Sequence, residues 1–258
     1  MPTTYRAGID IGAITAKAAI LADDQELVAS VVVQAGYRRS AAAEQVLEMV
    51  LEGAGLERGD LASVVATGYG RVQVPDADRV VTEITCHARG AHWLFPEVGT
   101  VIDIGGQDVK GIATGKNGKV LDFVMNDKCA AGTGRFLEVM ARALEVDLDQ
   151  FGALSLDAKR RAKISSTCTV FAESEVVTHI ASGVPREEII AGIHESIAAR
   201  VVSMVRRISL RDAVVLTGGV AQNVGVVQLL EEKLDRPVVV PSLAQVTGAI
   251  GAALLAGS

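Results

Sequence analysis

Apolar residues recur at two spacings along this chain, every second position in some stretches and every third or fourth in others, and the change of period marks its elements. Residues 7–33 carry the strand spacing and predict a hairpin. Residues 40–51 carry the helical one, with Ser40 and Glu44 at its start and Gly53 and Gly55 ending it. A strand is expected at 61–67, a turn at 68–71, and a helix at 83–95 that stops at Pro96. The pattern then begins again, with a strand at 98–104 and its hairpin partner, a turn at 115–118 and a strand at 120–125. A polar, glycine-rich loop over 126–134 feeds a helix over 135–144, and a polar segment over 147–163 leads through 164–168 to a helix at 170–181. Pro185, Glu187 and Glu188 start a long helix that runs to about residue 208. A buried strand enters the turn Gly218, Gly219; residues 220–223 open another helix, 238–240 form a last strand, and 248–255 form a small-residue helix expected to pack across two lobes.

The restart is a repeat. Ile9, Asp10, Ile11 and Gly12, with Lys17 following, recur as Ile102, Asp103, Ile104 and Gly105 with Lys110, offset by 93 residues. Each copy is an apolar strand ending in a carboxylate and a glycine, followed by residues whose backbone N–H groups can receive phosphate oxygens. An Asp beside such a turn suits a metal-bound phosphate. Neither copy has the Walker or Rossmann spacing, and both return to strand composition, so each turn is expected to join two strands of a hairpin. A lone turn of this kind is usually structural; two with matched flanks predict a two-lobed phosphate clamp.

Composition narrows the class. The 258 residues are 49% hydrophobic but only 3% aromatic, which predicts an α/β protein with a core of small aliphatic side chains. The expected division is lobe I over 1–97, lobe II over 98–244 and a crossing helix over 245–258. A net charge of −6 without a long Lys/Arg run argues against nucleic acid as a partner. With no run long enough to span a membrane and no signal-peptide core, the expected location is the cytoplasm.

Three cysteines are too few and too scattered for a disulfide framework, so they are thiols or metal ligands. Cys129 and Cys168 each stand among polar residues ahead of a predicted helix, where free N–H groups stabilise a thiolate or an anionic cluster. Cys168 follows Ser165, Ser166 and Thr167. A cubane cluster takes four thiolates, and a two-fold homodimer would supply the missing pair. Cys86 is expected to pack, since His87 and His92, five apart, do not share a helical face. Glu173 and Glu175 are given no role.

Residues 101–108, 126–135, 164–175 and 217–223, with 66–71, 86–90, Gln245 and 248–251, resemble the ATP-dependent activators of 2-hydroxyacyl-CoA dehydratases, of the BadF/BadG/BcrA/BcrD type. The resemblance implies an actin-like ATPase fold of two ribonuclease-H-like lobes, ATP or ADP in the cleft with Mg2+, and one [4Fe-4S] cluster shared by a homodimer through Cys129 and Cys168. Gly12, Ala13, Ile14, Thr15, Ala16 and Lys17 would meet the phosphates. Gly105, Gly106, Gln107 and Asp108 would form the second phosphate turn. Gly218, Gly219, Gln222 and Gln245 would line the adenosine side. Asp10, Asp103 and Gln107 would be the catalytic set, the two aspartates holding magnesium through water. Ala13 and Ile14 depart from the small hydroxylated residues more common in that family. The implied function is an ATPase that passes a low-potential electron from ferredoxin or flavodoxin to a dehydratase. Its alternatives are the ATPase subunit of a benzoyl-CoA reductase-like or other double-cubane reductase and, in another class, an N-acetylglucosamine-kinase-like enzyme.

Overall fold

The structure, a computed structural model, describes residues 3–23, 26–165 and 168–257; Ser166 and Thr167 lie outside them. The first sheet opens with β1 (Tyr5–Ile11), β2 (Thr15–Ala22) and β3 (Glu26–Gln34), an antiparallel run of three. Helix α1 (Arg39–Ala54) leads to β4 (Leu61–Thr67), which pairs parallel with β1, and β5 (Arg79–Val80) adds at the edge. The strand order is β3-β2-β1-β4-β5. Central β1 is buried from Ala7 to Ile11, while edge strand β3 alternates exposed and half-buried positions, as one wet face requires.

Helix α2 (Glu83–Leu94) is followed by β6 (Thr100–Ile104), β7 (Val109–Thr114) and β8 (Val120–Asn126), again antiparallel. Helices α3 (Gly134–Ala143), α4 (Leu148–Leu156), α5 (Thr169–Ala181) and α6 (Arg186–Val205) precede β9 (Val214–Thr217), which returns parallel to β6. Then come α7 (Val224–Leu234), β10 (Val238–Val239) and α8 (Thr247–Leu255). The second sheet has the order β10-β9-β6-β7-β8, so both sheets place a three-stranded meander beside parallel strands. The largest apolar cluster joins the second sheet to α3, α5, α6 and α7, and a separate one joins the first sheet to α1.

Helix α8 lies on β1, β2 and β4 and against α2, whereas α2 also touches β6, β7 and β8. Contact between the two sheets runs through the α2–α8 pair and also through residues 244–246, which touch β2, β3 and β9. The seam between α2 and α8 is made of backbone: a Cβ on Gly90 would collide with the Thr247 carbonyl, and one on Gly251 with that of Cys86. Gly8 of β1 likewise meets the Ala249 carbonyl. Helices approach this closely only where side chains are absent.

Local chemistry alters several expectations. Helix α1 starts at Arg39 after Arg38, without a side-chain cap, so Ser40 is inside it; Gly53 also lies within, and Gly55 alone ends it, with φ +66°. The polar stretch 147–163 contains α4. Residues 220–223 are not yet the helix: Gly219–Gln222 is a 3₁₀ turn, and Asn223 caps α7 by accepting from Val226 N–H at 3.0 Å. Among the described residues no helix is long and apolar enough to cross a membrane.

Candidate nucleotide cleft and cysteine loops

The repeat is one geometry built twice. Gly12 N–H donates to the Thr15 carbonyl at 2.9 Å, and Gly105 N–H donates to that of Asp108 at 2.9 Å. Asp10 pairs across the hairpin with Lys17, and Asp103 with Lys110. The likeness extends to a third strand in each sheet, where Asp10 lies beside Thr67 and Asp103 beside Thr217. Each threonine is followed by a left-handed glycine, Gly68 at φ +89° and Gly218 at φ +87°. Any Cβ there would press on the aspartate: on Asp10 Oδ1 from Gly68, and on Asp103 Oδ1, at 2.9 Å, from Gly218.

The two turns face one cleft of about 520 Å³. Its lining includes Asp10, Gly12, Ala13, Ile14, Thr15, Lys17, Asp103, Gly105, Gly106, Gln107 and Asp108, with Gly218, Gly219, Gln222 and Gln245 at one end. Ala16 is the exception among the expected residues. Strand alternation turns it into the core under the first sheet, fully buried beside Ile11. At positions 13 and 14, where hydroxyls are lacking, Ile14 instead reaches across to lobe II. A Cβ on Gly106 would come within 2.7 Å of Ile14 Cδ1. Gln222 Nε2 donates to Gln245 Oε1 at 3.2 Å, and Gly218 N–H to the Ala244 carbonyl at 3.0 Å, tying the far end together.

The carboxylates are unequal. Both Asp103 oxygens have partners: Thr217 Oγ1 donates to Oδ1 at 2.9 Å, and Lys110 Nζ donates to Oδ2 at 3.1 Å. Burial works to raise the Asp103 pKa, but nearby His87 and Lys110 outweigh it and hold the carboxyl well below the usual range. Lys110 is itself only 2% exposed, contacts Asp108, and lies 3.6 Å from Glu83; burial opposes its charge, yet the three carboxylates together raise its pKa. Glu83 is pushed up chiefly by burial. On lobe I, Lys17 Nζ reaches Asp10 Oδ2 at 3.5 Å. Because each Asp103 oxygen is occupied, this donor set suits a magnesium ion met through water, not direct ligation.

Glu83 and His87, both on α2, also line the cleft, and the sequence reading assigned neither to it. His87 Nδ1 is 3.3 Å from Asp103 Oδ1, and its Nε2 lies 2.9 Å from where a Gly248 Cβ would stand, a point 2.8 Å from Asp10 Oδ2. One imidazole thus sits between the aspartates of the two lobes. Spacing along α2 offered a signal, since positions 83 and 87 are one helical turn apart on a face with Gly90. Cys86 is fully buried against Val65 and Ala252, and burial pushes its thiol up to about 12, in agreement with a packing role.

Cys129 and Cys168 lie outside the cleft. Cys129 is half-buried in the loop before α3, with Asn126 Nδ2 donating to its carbonyl at 3.0 Å; Cys168 is exposed and immediately precedes α5. Glu175 holds the approach to Cys168, accepting from Ser165 N–H at 2.6 Å and from Ser165 Oγ at 2.7 Å. Helices α3 and α5 pack together. The loop behind Cys129 is bonded directly to the turn over residues 105–108, as Gly134 N–H donates to the Gly105 carbonyl at 2.9 Å and Arg135 N–H to that of Gly106 at 2.8 Å. Among the described residues no three His, Cys, Asp or Glu side chains converge as a metal site. Half-buried Cys129 and exposed Cys168 are two thiols outside the core, half the number that a four-thiolate cluster takes.

Beyond the turn over residues 218–222, His194 Nε2 lies 3.1 Å from Asn223 Nδ2, and its ring packs edge-on to Phe151. Burial pushes this imidazole down to about 3. The unfolded chain, with a histidine near 6.5, then binds the extra proton, so the contribution of neutral His194 is full above about pH 6.5 and is lost as pH falls toward 3. His194→Gln is expected to remove up to about 1.4 kcal/mol per pH unit from the slope of unfolding free energy in that window. Urea titrations at several pH values would measure it.

Duplicated turns closing on a shared cleft, each with a strand-end aspartate, define a two-lobed ATPase of the actin-like fold. The match over residues 7–256 shows that the chain belongs to the BadF/BadG/BcrA/BcrD ATPase family. It is 50% identical over 252 residues to the activator of lactoyl-CoA dehydratase from Anaerotignum propionicum, covering 98% of this chain and 97% of that one. The crystal structure of component A of the Acidaminococcus fermentans (R)-2-hydroxyglutaryl-CoA dehydratase superposes with a TM-score of 0.95 at 48% identity, over 98% of this chain and 97% of that one. The activator of the 2-hydroxyisocaproyl-CoA dehydratase from Clostridium difficile, with bound ADPNP, gives 0.94 at 47% identity over 98% and 94%.

Proposed function

We propose that this protein is an ATP-hydrolysing activator that delivers a low-potential electron to a 2-hydroxyacyl-CoA dehydratase. It would work as a homodimer, with residues 1–97 and 98–244 as its lobes and 245–258 as a closing helix. Relatives named for the activation of such dehydratases support the reading. The observation that carries it is the pair of hydrogen bonds from Gly134 and Arg135 to the carbonyls of Gly105 and Gly106, which join the phosphate turn to the Cys129 loop.

ATP would lie with its phosphates between residues 12–17 and 105–108 and its adenosine against Gly218, Gly219, Gln222 and Gln245. Among the described residues, the N–H groups of Ala13, Ile14, Gly106 and Gln107 make no backbone hydrogen bond and are free to receive phosphate oxygens. Asp10 and Asp103 would hold magnesium through water, and Gln107 would orient the attacking water. Gripping a γ-phosphate from both sides favours one lobe angle. To move a two-state chain from 1:99 to 99:1, that preference must reach about 5.5 kcal/mol. Any shift of the 105–108 turn passes through Gly134 and Arg135 into α3 and the loop ahead of it. Cys129 and Cys168 from two chains would hold one [4Fe-4S] cluster, which supplies one-electron chemistry at a potential tuned by charge, hydrogen bonding and solvent exposure. Ferredoxin or flavodoxin would be the donor.

The test is spectroscopic. Protein purified without oxygen is expected to be brown with about four irons per dimer, and either Cys129→Ser or Cys168→Ser should abolish the colour while Cys86→Ser keeps it. Colourless, iron-free wild-type protein would sink the cluster.

A further inference from the structure

We propose that a second cleft, between the two cysteine-bearing loops, is the docking surface for an acidic electron-carrying protein; this rests on the electron-transfer reading above. The cleft measures about 880 Å³ and is separate from the nucleotide site. One wall includes Asn126 and Gly132 from the Cys129 loop, the other Lys163 and Ser165 from the segment before Cys168; α6 contributes Arg200, and the turn that follows it contributes Arg207. Arg200 crosses to the first wall, its Cδ 3.2 Å from where a Gly132 Cβ would stand.

Its charge is one-sided. Glu195 is the acidic residue of the lining, and it is already met by Arg161, at 2.7 Å, and by Lys233. Arg161 is in turn bound to Glu232. Lys163, Arg200 and Arg207 make no ion pair among the described residues. In a chain of net charge −6, three unpaired cations in one concavity reverse the sign of the local field.

The cleft is also partly apolar at its rim. Met125 lines it, and Phe123, 52% exposed, follows at strand spacing along β8, the edge of its sheet. A free anion would use the cations alone. Methionine, an aromatic ring and arginines together suit the face of a protein whose carboxylates surround an apolar centre. Such a carrier would rest against both cysteine loops; one electron would leave its reduced centre and enter the cysteine-held cluster, with no bond made or broken. Charge complementarity of this kind acts mainly on association rate and salt dependence.

The triple substitution Lys163→Ser, Arg200→Gln and Arg207→Gln tests this in the full-length dimer purified without oxygen, with an acidic ferredoxin as the probe. Wild-type affinity is expected to fall steeply between about 0.05 and 0.3 M salt, and the variant to bind about tenfold more weakly at the lower salt with little remaining salt dependence. Its colour, its reduction by dithionite and its ATP hydrolysis should match the wild type. If the triple variant does not fold, Lys163→Glu alone, on an exposed loop, is expected to weaken binding about threefold. Unchanged affinity in the variants, no binding by wild type, or a change in dimer sedimentation in place of ferredoxin binding would each overturn the proposal. Iron-free wild-type protein fails the cluster reading instead, so iron content separates the two failures.

Discussion

Lys110→Met is expected to slow ATP hydrolysis by about 10²–10³-fold, the loss typical when one charge-stabilising group leaves an active site. It should also lower the unfolding free energy by about 3–5 kcal/mol, because removing one member of a buried ion pair strands the other. The ammonium contacts Asp108 and lies within 3.1 Å of Asp103 and 3.6 Å of Glu83. Of these, Asp103 is almost fully buried, so solvent screens the stranded charge poorly. The pH dependence has a definite sign. Asp103 is held below its ordinary pKa, so its contribution is full above an unfolded carboxyl's value near 4 and is lost as pH falls through the folded one. The penalty of Lys110→Met should therefore be largest near neutrality and shrink in acid. Adding Asp108→Asn should recover part of the stability without restoring hydrolysis. Chemical denaturation beside phosphate release would separate these effects, and a variant with wild-type stability would refute the account of Lys110.

Gly218→Ala should be nearly as damaging by a different route. The residue sits at φ +87°, where a non-glycine residue costs about 1–3 kcal/mol. Its Cβ would also strike the Ile104 carbonyl and crowd Asp103 Oδ1. Relief requires β9 to move away from β6, which displaces the aspartate and the turn over residues 218–222 together. A lower melting temperature and a nucleotide affinity at least about tenfold weaker are expected, a loss of about 1.4 kcal/mol. Gly68→Ala should produce the matching defect at Asp10. If either substitution left both quantities unchanged, the proposed equivalence of the two Thr-Gly corners would fail.

Much of the fold is readable because its signals are local. The repeated strand and turn, the apolar run over 61–67 and the long helix after Pro185 each carry a pattern that neighbouring residues complete. Helix α4 hides because Asp147, Asp149 and Gln150 make its start look like loop, and Gly152 looks like a break. That glycine answers to a distant residue: a Cβ there would lie 3.0 Å from Asn223 Oδ1. Glu83 and His87 are concealed for a similar reason. Nothing near them in the chain indicates that α2 will lie between two sheets and aim one turn at a carboxylate 16 residues beyond His87. Ala16, by contrast, faces the core between Thr15 and Lys17, which line the cleft, and strand alternation alone accounts for that.

The position of α8 has a consequence for how the chain is made. Its glycines and alanines press on β1 and α2 as closely as backbones allow, so the strand that begins the first sheet waits for a cover translated some 240 residues later. During synthesis, β6 to β10 and their helices have all their partners as soon as they emerge, while β1, β2 and β4 still show one bare apolar face. A ribosome stalled before residue 247 should therefore hold a folded second sheet and a protease-sensitive first one, although the first was made earlier.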